Sequence, residues 1–139
     1  MIVVDASAMT ELLLQTPVGV HVEARLFRDG DEFHAPHLLD VEVVQALRRL
    51  VRAGEVLPGR AEEAVEDLVL FHVLRHPHVD LLERAWELRD NLTAYDAMYV
   101  ALAEALDAPL VTCDGPLGAA PGVAARVEVI RQISHHRSC

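Results

Sequence analysis

The sequence predicts an α/β fold, with a short parallel sheet of about four strands between two layers of helices. Two observations lead to this prediction. Short apolar runs with strand composition alternate with longer segments in which apolar residues recur at helical spacing. Because helices separate successive strands, we expect parallel pairing through right-handed crossovers. No repeat, linker or low-complexity segment is visible, so we expect residues 1–139 to form one domain.

The first half of the chain contains two of the predicted strands. A β-branched run directly after Met1 ends at an acid, Asp5, and a helical pattern follows at once. Pro17 is suited to the first turn of a second helix, and Gly54 to the end of a third. We predict, in order, a strand at 2–4, a helix at 8–15, a helix from 17 to about 28, a strand at 32–35 and a helix at 38–53.

The second half contains the best-defined stretch, from Asn91 to Asp114. Thr93 is a good helix N-cap, Pro109 cannot continue the helix, and the residues after it have the composition of a buried strand. We predict helices at 60–74 and 80–90 with an irregular link at 74–78, a helix from 93 to about 106, strands at 110–113 and 127–130, and a frayed tail at 133–139.

Composition excludes several classes of protein. All twelve basic residues are arginine, so chemistry that needs lysine, such as a phosphate-binding loop or a Schiff base, is absent. The net charge of −10 disfavours non-specific wrapping of nucleic acid, although a local arginine patch or a bound metal could still bind it. Two cysteines do not make a disulfide framework. No apolar run approaches the roughly 20 residues of a membrane span, and the start lacks signal-peptide features, so we expect a cytoplasmic protein.

Three acids stand out by position. Asp5 and Asp114 follow strands, where ligand sites of α/β sheets lie, and Asp96 is in the first turn of a helix. Each also has an ordinary interpretation as a helix cap, a turn residue or the partner of Thr93 in a capping box. A doubly wound topology would bring two of them together, and carboxylates so close repel each other unless a cation lies among them. Oxygen ligands favour Mg²⁺ or Mn²⁺.

A fourth acid could come from the helix at 38–53, where Asp40 and Glu42 compete. The two lie about 200° apart around the helix, so they cannot face the same way. Glu42 is at the edge of the apolar stripe, whereas Asp40 is in the first turn, where an acid often serves the helix end. Helical geometry leaves this choice open.

Four blocks of the sequence together resemble PIN-domain ribonucleases, specifically the VapC-type toxins of bacterial toxin–antitoxin pairs. They are IVVDASA, EVVQALRR, LTAYDAMYVALAEAL and LVTCD, in this order. The resemblance selects Glu42 over Asp40, and implies that the metal-binding and catalytic acids are Asp5, Glu42, Asp96 and Asp114. It also implies supporting roles for Ser7 and Thr112. Some family members carry a further acid after the fourth, but this chain has GPLGAA there, so a second metal ion would be weakly held.

The resemblance implies a Mg²⁺- or Mn²⁺-dependent endoribonuclease, with RNA as substrate, a cognate small antitoxin as partner, and a homodimeric state. The alternative is a catalytically silent PIN-fold interaction module. A phosphatase of the haloacid-dehalogenase type is a poor rival, because it needs a second acid where this chain has Ser7, and it needs a lysine.

Other residues have weaker patterns. A basic helix face could contact RNA phosphates or simply be solvated; it consists of Arg48, Arg49 and Arg52. Histidines occur in close pairs, but not at zinc-finger spacing with cysteines, so we expect them in loops and on the surface. Trp86 and Phe71 fall in helical apolar stripes, and we expect them to pack in the core.

Overall fold

Five parallel strands form the sheet at the centre of the computed structural model, which describes residues 1–131. The strands are β1 (Ile2–Val4), β2 (Phe33–Pro36), β3 (Leu74–His76), β4 (Leu110–Thr112) and β5 (Val127–Val129). The helices are α1 (Ala6–Leu14), α2 (Pro17–Leu26), α3 (Leu38–Arg52), α4 (Pro58–Leu70), α5 (Leu82–Glu87), α6 (Ala94–Leu106) and α7 (Gly115–Gly118), with a 3-10 turn at Val79–Leu81.

The strand order is β3-β2-β1-β4-β5, with every pair parallel. From β1 the chain moves outward through β2 to β3, then returns across the sheet to β4 and moves the opposite way to β5. Right-handed crossovers therefore place α1 to α4 on one face and α5 to α7 on the other. The direction reverses between β1 and β4, so the carboxyl ends of these two strands flank the topological switch point.

Burial follows this layered arrangement. Strand β1 is completely buried, because both of its faces are covered and it has a neighbour on each side. Helix α6 is buried around most of its circumference from Ala97 to Ala103, consistent with its contacts to β1, β2 and β4. The sequence-predicted three-layer α/β fold is therefore confirmed.

The predicted strand number of about four is wrong by one. Residues 74–76, predicted as part of an irregular link, form β3, and the helix predicted at 60–74 ends at Leu70. The segment predicted as one helix at 80–90 is a 3-10 turn followed by α5. The strand predicted at 32–35 is shifted by one residue, to Phe33–Pro36. The frayed tail predicted at 133–139 lies outside the described residues.

Two aromatic predictions have opposite outcomes. Phe71 packs against Phe33 with ring centroids 5.8 Å apart, so its predicted core position is confirmed. The predicted core position of Trp86 is wrong, because this residue is 68 % exposed, with the Arg89 guanidinium 4.6 Å from the ring centroid. In residues 1–131, none of the helices is both long enough and apolar enough to cross a lipid bilayer.

Helices α1 and α2 pack closely because α2 has a glycine at the contact. The Thr16 hydroxyl caps α2 by accepting a hydrogen bond from the Gly19 N–H at 3.0 Å. A Cβ on Gly19 would lie 2.0 Å from the carbonyl oxygen of Glu11, well inside any van der Waals contact. Gly19 therefore fixes how closely α2 approaches the helix that follows Asp5.

Candidate active site

A cleft of about 490 Å³ opens at the switch point between β1 and β4. All four predicted metal-binding acids line it: Asp5, Glu42, Asp96 and Asp114. Asp5 comes directly after β1, Asp114 lies two residues beyond β4, and the other two come from helices on opposite faces of the sheet. Residues separated by more than 100 positions in the sequence therefore meet in one acidic cleft.

Asp5 is the most rigidly held of the four. Its side chain is only 4 % exposed, and one oxygen accepts hydrogen bonds from the Ala8 N–H at 3.0 Å and the Ser7 hydroxyl at 2.7 Å. The Thr112 hydroxyl donates to the other oxygen. Burial raises the pKa of Asp5 to about 6; these hydrogen bonds oppose that rise, and the Asp96 charge adds to it. Asp5 therefore caps α1 and also presents a carboxylate to the cleft.

The two predicted supporting residues connect Asp5 to the end of β4. The Ser7 and Thr112 hydroxyl oxygens are 3.2 Å apart. Ser7 also accepts a hydrogen bond from the Cys113 N–H, and Thr112 accepts one from the Asp114 N–H, both at 2.9 Å. This network fixes the Asp114 backbone relative to the Asp5 carboxylate.

Asp96 and Asp114 are both partly buried and line the same cleft. Burial raises the pKa of Asp96 above its ordinary value, and the Asp114 charge raises it further. The Thr93 hydroxyl accepts a hydrogen bond from the Asp96 N–H at 3.2 Å, so Thr93 caps α6 as predicted. Asp114 precedes α7, but its side chain does not cap that helix.

The structure separates the two acids of α3. The Arg75 guanidinium donates to both carboxylate oxygens of Asp40, at 2.7 and 2.9 Å, on the side away from the cleft. Glu42 lines the cleft, and its buried Oε1 has no hydrogen-bond partner among the described residues. Burial raises the pKa of Glu42, the facing Tyr99 hydroxyl opposes this without forming a well-aligned hydrogen bond, and the Asp96 charge adds to it.

The donor set of the cleft suits a hard divalent cation. As placed within residues 1–131, no three Asp, Glu, His or Cys side chains are close enough together to hold one ion. This spacing is physically reasonable, because carboxylates without a cation repel each other. The unpartnered Glu42 oxygen is an acceptor that a cation in the cleft would satisfy. The residues therefore fit Mg²⁺ or Mn²⁺.

The three arginines of the predicted basic face line two different clefts. Arg49 lines the acidic cleft, with Ala46 and Leu50 beside it. Arg48 and Arg52 line a second groove on the other side of α3, between α3 and α4. The predicted basic face is therefore divided between two surfaces, and its contact with RNA stays a prediction.

The paired histidines come together across β2 and β3. His34 Nδ1 lies 2.8 Å from His76 Nε2, and His78 Nε2 accepts a hydrogen bond from the Leu38 N–H. These bonds join the edge of the sheet to the start of α3. His34 is buried, contrary to the predicted surface position, and the described residues contain no zinc-like cluster.

Sequence reasoning missed two residues of this region. Tyr99 was not predicted as a site residue, but it lines the cleft one helical turn after Asp96. That spacing was the available signal. Arg75 was missed as the partner of Asp40, because its strand was not predicted.

A doubly wound parallel sheet with an acidic cleft at its switch point defines a class of protein: an α/β domain whose ligand site lies at the carboxyl ends of its strands and is lined by carboxylates. Comparison with known proteins agrees. The family model of the PIN domain matches residues 2–121. The chain belongs to the PIN-domain family, and its curated relatives are VapC ribonucleases.

Two of these relatives are similar along nearly their whole length, and one solved structure shares the fold. Ribonuclease VapC1 of Mycobacterium tuberculosis is 43 % identical over 93 % of this chain and 97 % of the relative. Ribonuclease VapC12 of the same species is 42 % identical over 94 % of this chain and 99 % of the relative. The crystal structure of PAE2754 from Pyrobaculum aerophilum superposes with a TM-score of 0.67 at 30 % identity, covering 92 % of this chain and 83 % of the other.

Proposed function

We propose that the protein is a Mg²⁺- or Mn²⁺-dependent endoribonuclease and the toxin of a toxin–antitoxin pair. The observation that carries this proposal is the convergence of Asp5, Glu42, Asp96 and Asp114 on one cleft, with a buried Glu42 oxygen unpartnered. Relatives named ribonucleases at more than 40 % identity over nearly the full chain support the choice of RNA.

The residues of the chain divide the work between binding and orientation. The four carboxylates would hold the cation, which when bound lowers the pKa of water and stabilises charge that develops on a phosphate. Ser7 and Thr112 fix the orientation of the Asp5 carboxylate through their hydroxyl groups. With its pKa raised to about 6, Asp5 gains most from an adjacent positive charge, since burial disfavours its ionised form.

The test of this proposal uses two acids of the same helix. Glu42→Ala is expected to abolish Mn²⁺-dependent cleavage of RNA and to weaken Mn²⁺ binding severely, measured by isothermal titration. Asp40→Ala is the matched control: it breaks the ion pair with Arg75, so it should lower thermal stability while cleavage persists. Wild-type rates in Glu42→Ala, with loss in Asp40→Ala, would contradict the assignment.

The antitoxin has a candidate docking surface in the groove between α3 and α4. This groove of about 560 Å³ has an apolar floor that includes Leu47, Val51 and Val65. Its rim carries two arginines on one side and two glutamates on the other. An apolar helix or strand of a small partner fits such a surface, with charges at its edges setting its register.

Co-expression with the product of the neighbouring small open reading frame tests this part. Val44 lines the groove and is 48 % exposed, whereas Val41 on the same helix is 68 % exposed and lies outside it. Val44→Asp should lose the co-purifying partner and the suppression of nuclease activity, and Val41→Asp should retain both. Equal behaviour of the two variants would place the partner elsewhere. The homodimeric state stays a prediction.

The alternative is a silent interaction module that keeps the fold without cleaving RNA. It predicts no measurable Mn²⁺ binding by the wild-type protein and no nuclease activity after removal of any partner. The intact set of four acids favours the enzyme.

A further inference from the structure

Among residues 1–131, Arg49 is the one basic residue that lines the acidic cleft. Five carboxylates line the same cleft, since Glu11 joins the four proposed metal ligands. Glu11 is engaged by the Thr16 hydroxyl, and within residues 1–131 Arg49 forms no ion pair with any acid. The Arg49 side chain is also exposed, so its guanidinium is available to an anion at the margin of the site.

Helical geometry places Arg49 on the same side of α3 as Glu42. Seven residues separate them, which brings the two within about 20° of each other around the axis and about 10 Å apart along it. Ala46 lies between them, and its small side chain leaves the path from the acids to the guanidinium open. Around the helix axis, Arg52 lies about 80° and Arg48 about 120° from Glu42, which agrees with their position in the other groove.

The negative charge of the protein favours a role for the Arg49 guanidinium in binding a polyanionic substrate. The net charge is −10, and the cleft itself is acidic, so an RNA strand meets repulsion except at a bound cation. A guanidinium offers two parallel N–H donors that match the oxygens of one phosphate. We infer that Arg49 binds an RNA backbone phosphate next to the scissile one and so positions the strand across the acids.

This inference deepens the proposed ribonuclease function and rests on it. Arg49 is assigned as a positioning residue that contacts the substrate backbone, with no part in holding the cation. Because it touches only phosphate, its contribution does not depend on base sequence. It is expected to show in KM and in the salt dependence, and much less in kcat.

The experiment compares Arg49→Gln with Arg48→Gln and Arg52→Gln, on a short single-stranded RNA of mixed sequence that carries a fluorophore and a quencher. With Mn²⁺ present, Arg49→Gln should raise KM about tenfold or more, the effect of losing one charge-assisted hydrogen bond. Its kcat should stay within about threefold. The dependence of log(kcat/KM) on log salt should become shallower by about 0.7. Arg49→Lys should recover part of the loss, and the two control variants should match the wild type.

Two results would overturn the inference. One is an Arg49→Gln variant with the KM and salt dependence of the controls. The other is a lower kcat with weaker Mn²⁺ binding by titration, which would place Arg49 in the cation site. Absence of cleavage by the wild-type protein would instead refute the proposed function, and this inference with it.

Discussion

Neutralising Asp5 should stabilise the metal-free protein at neutral pH. The Asp5 side chain is buried, and its pKa is raised from 3.8 to about 6, so holding the ionised form in the folded state costs about 3 kcal/mol. In Asp5→Asn the amide oxygen keeps the hydrogen bonds from Ala8 and Ser7. The Thr112 hydroxyl can accept from the new amide and donate to Ser7, 3.2 Å away. We expect a net gain of about 1–3 kcal/mol, or several degrees in Tm.

The pH dependence gives this prediction its sign. Between about pH 4 and about pH 6 the folded protein retains the Asp5 proton that the unfolded chain has released, so the stability of the wild type falls as pH rises through this window. Asp5→Asn lacks this dependence. Its advantage in Tm, measured in EDTA, should therefore be small near pH 4 and grow to its full value above about pH 6.

Two results would contradict the prediction for Asp5→Asn. If Asp5 were only the N-cap of α1, the variant would be less stable at every pH, because amide hydrogen bonds are weaker than charge-assisted ones. A difference in Tm that does not change between about pH 4 and about pH 8 would likewise refute the reasoning from burial.

Three further predictions concern Asp96, Thr93 and Gly19. Asp96→Asn should abolish Mn²⁺-dependent cleavage while leaving the Tm in EDTA unchanged or higher, because burial and the nearby acids disfavour its charge. Thr93→Ala removes the cap of α6 and should cost about 1 kcal/mol by denaturant titration with cleavage retained. Gly19→Ala should lower stability by about 1–3 kcal/mol or more, since its Cβ meets the Glu11 backbone, whereas Gly59→Ala, in open space, should be neutral or slightly stabilising. A stable Gly19→Ala, or an active Asp96→Asn with a lowered Tm, would contradict these assignments.

The local sequence predicted those elements that consist mainly of apolar residues and are buried in the fold. Strands β1 and β4 are short apolar runs that end at acids, and their positions follow from composition alone. Strand β3, Leu-Arg-His, has no such signature, because it lies at the sheet edge with its residues partly or largely exposed. It exists through distant partners: β2 beside it, and Asp40 facing Arg75.

The same missed strand explains the limit of the site prediction. Helical geometry could not choose between Asp40 and Glu42, because the deciding contact comes from Arg75, which is 35 residues beyond Asp40. Strand β3 brings Arg75 to the start of α3, where it forms an ion pair with Asp40. Glu42 is then the acid of α3 that lines the cleft. For Trp86 the helical pattern was correct, but α5 is one short helix that buries only part of its apolar set: Ala85 is buried, whereas Trp86 is exposed.

Helix α3 connects the two proposed activities, because it presents different sides to two different surfaces. Glu42 and Arg49 face the cleft, whereas Val44, Arg48 and Arg52 face the groove toward α4. A helix with its side chains is only about 10 Å across. A partner segment seated in the groove would therefore need only a few more extended residues to reach the cleft, where an arginine of its own could occupy the place proposed for the cation. Inhibition of this kind requires no conformational change in the protein; it requires only that groove and cleft share one helix.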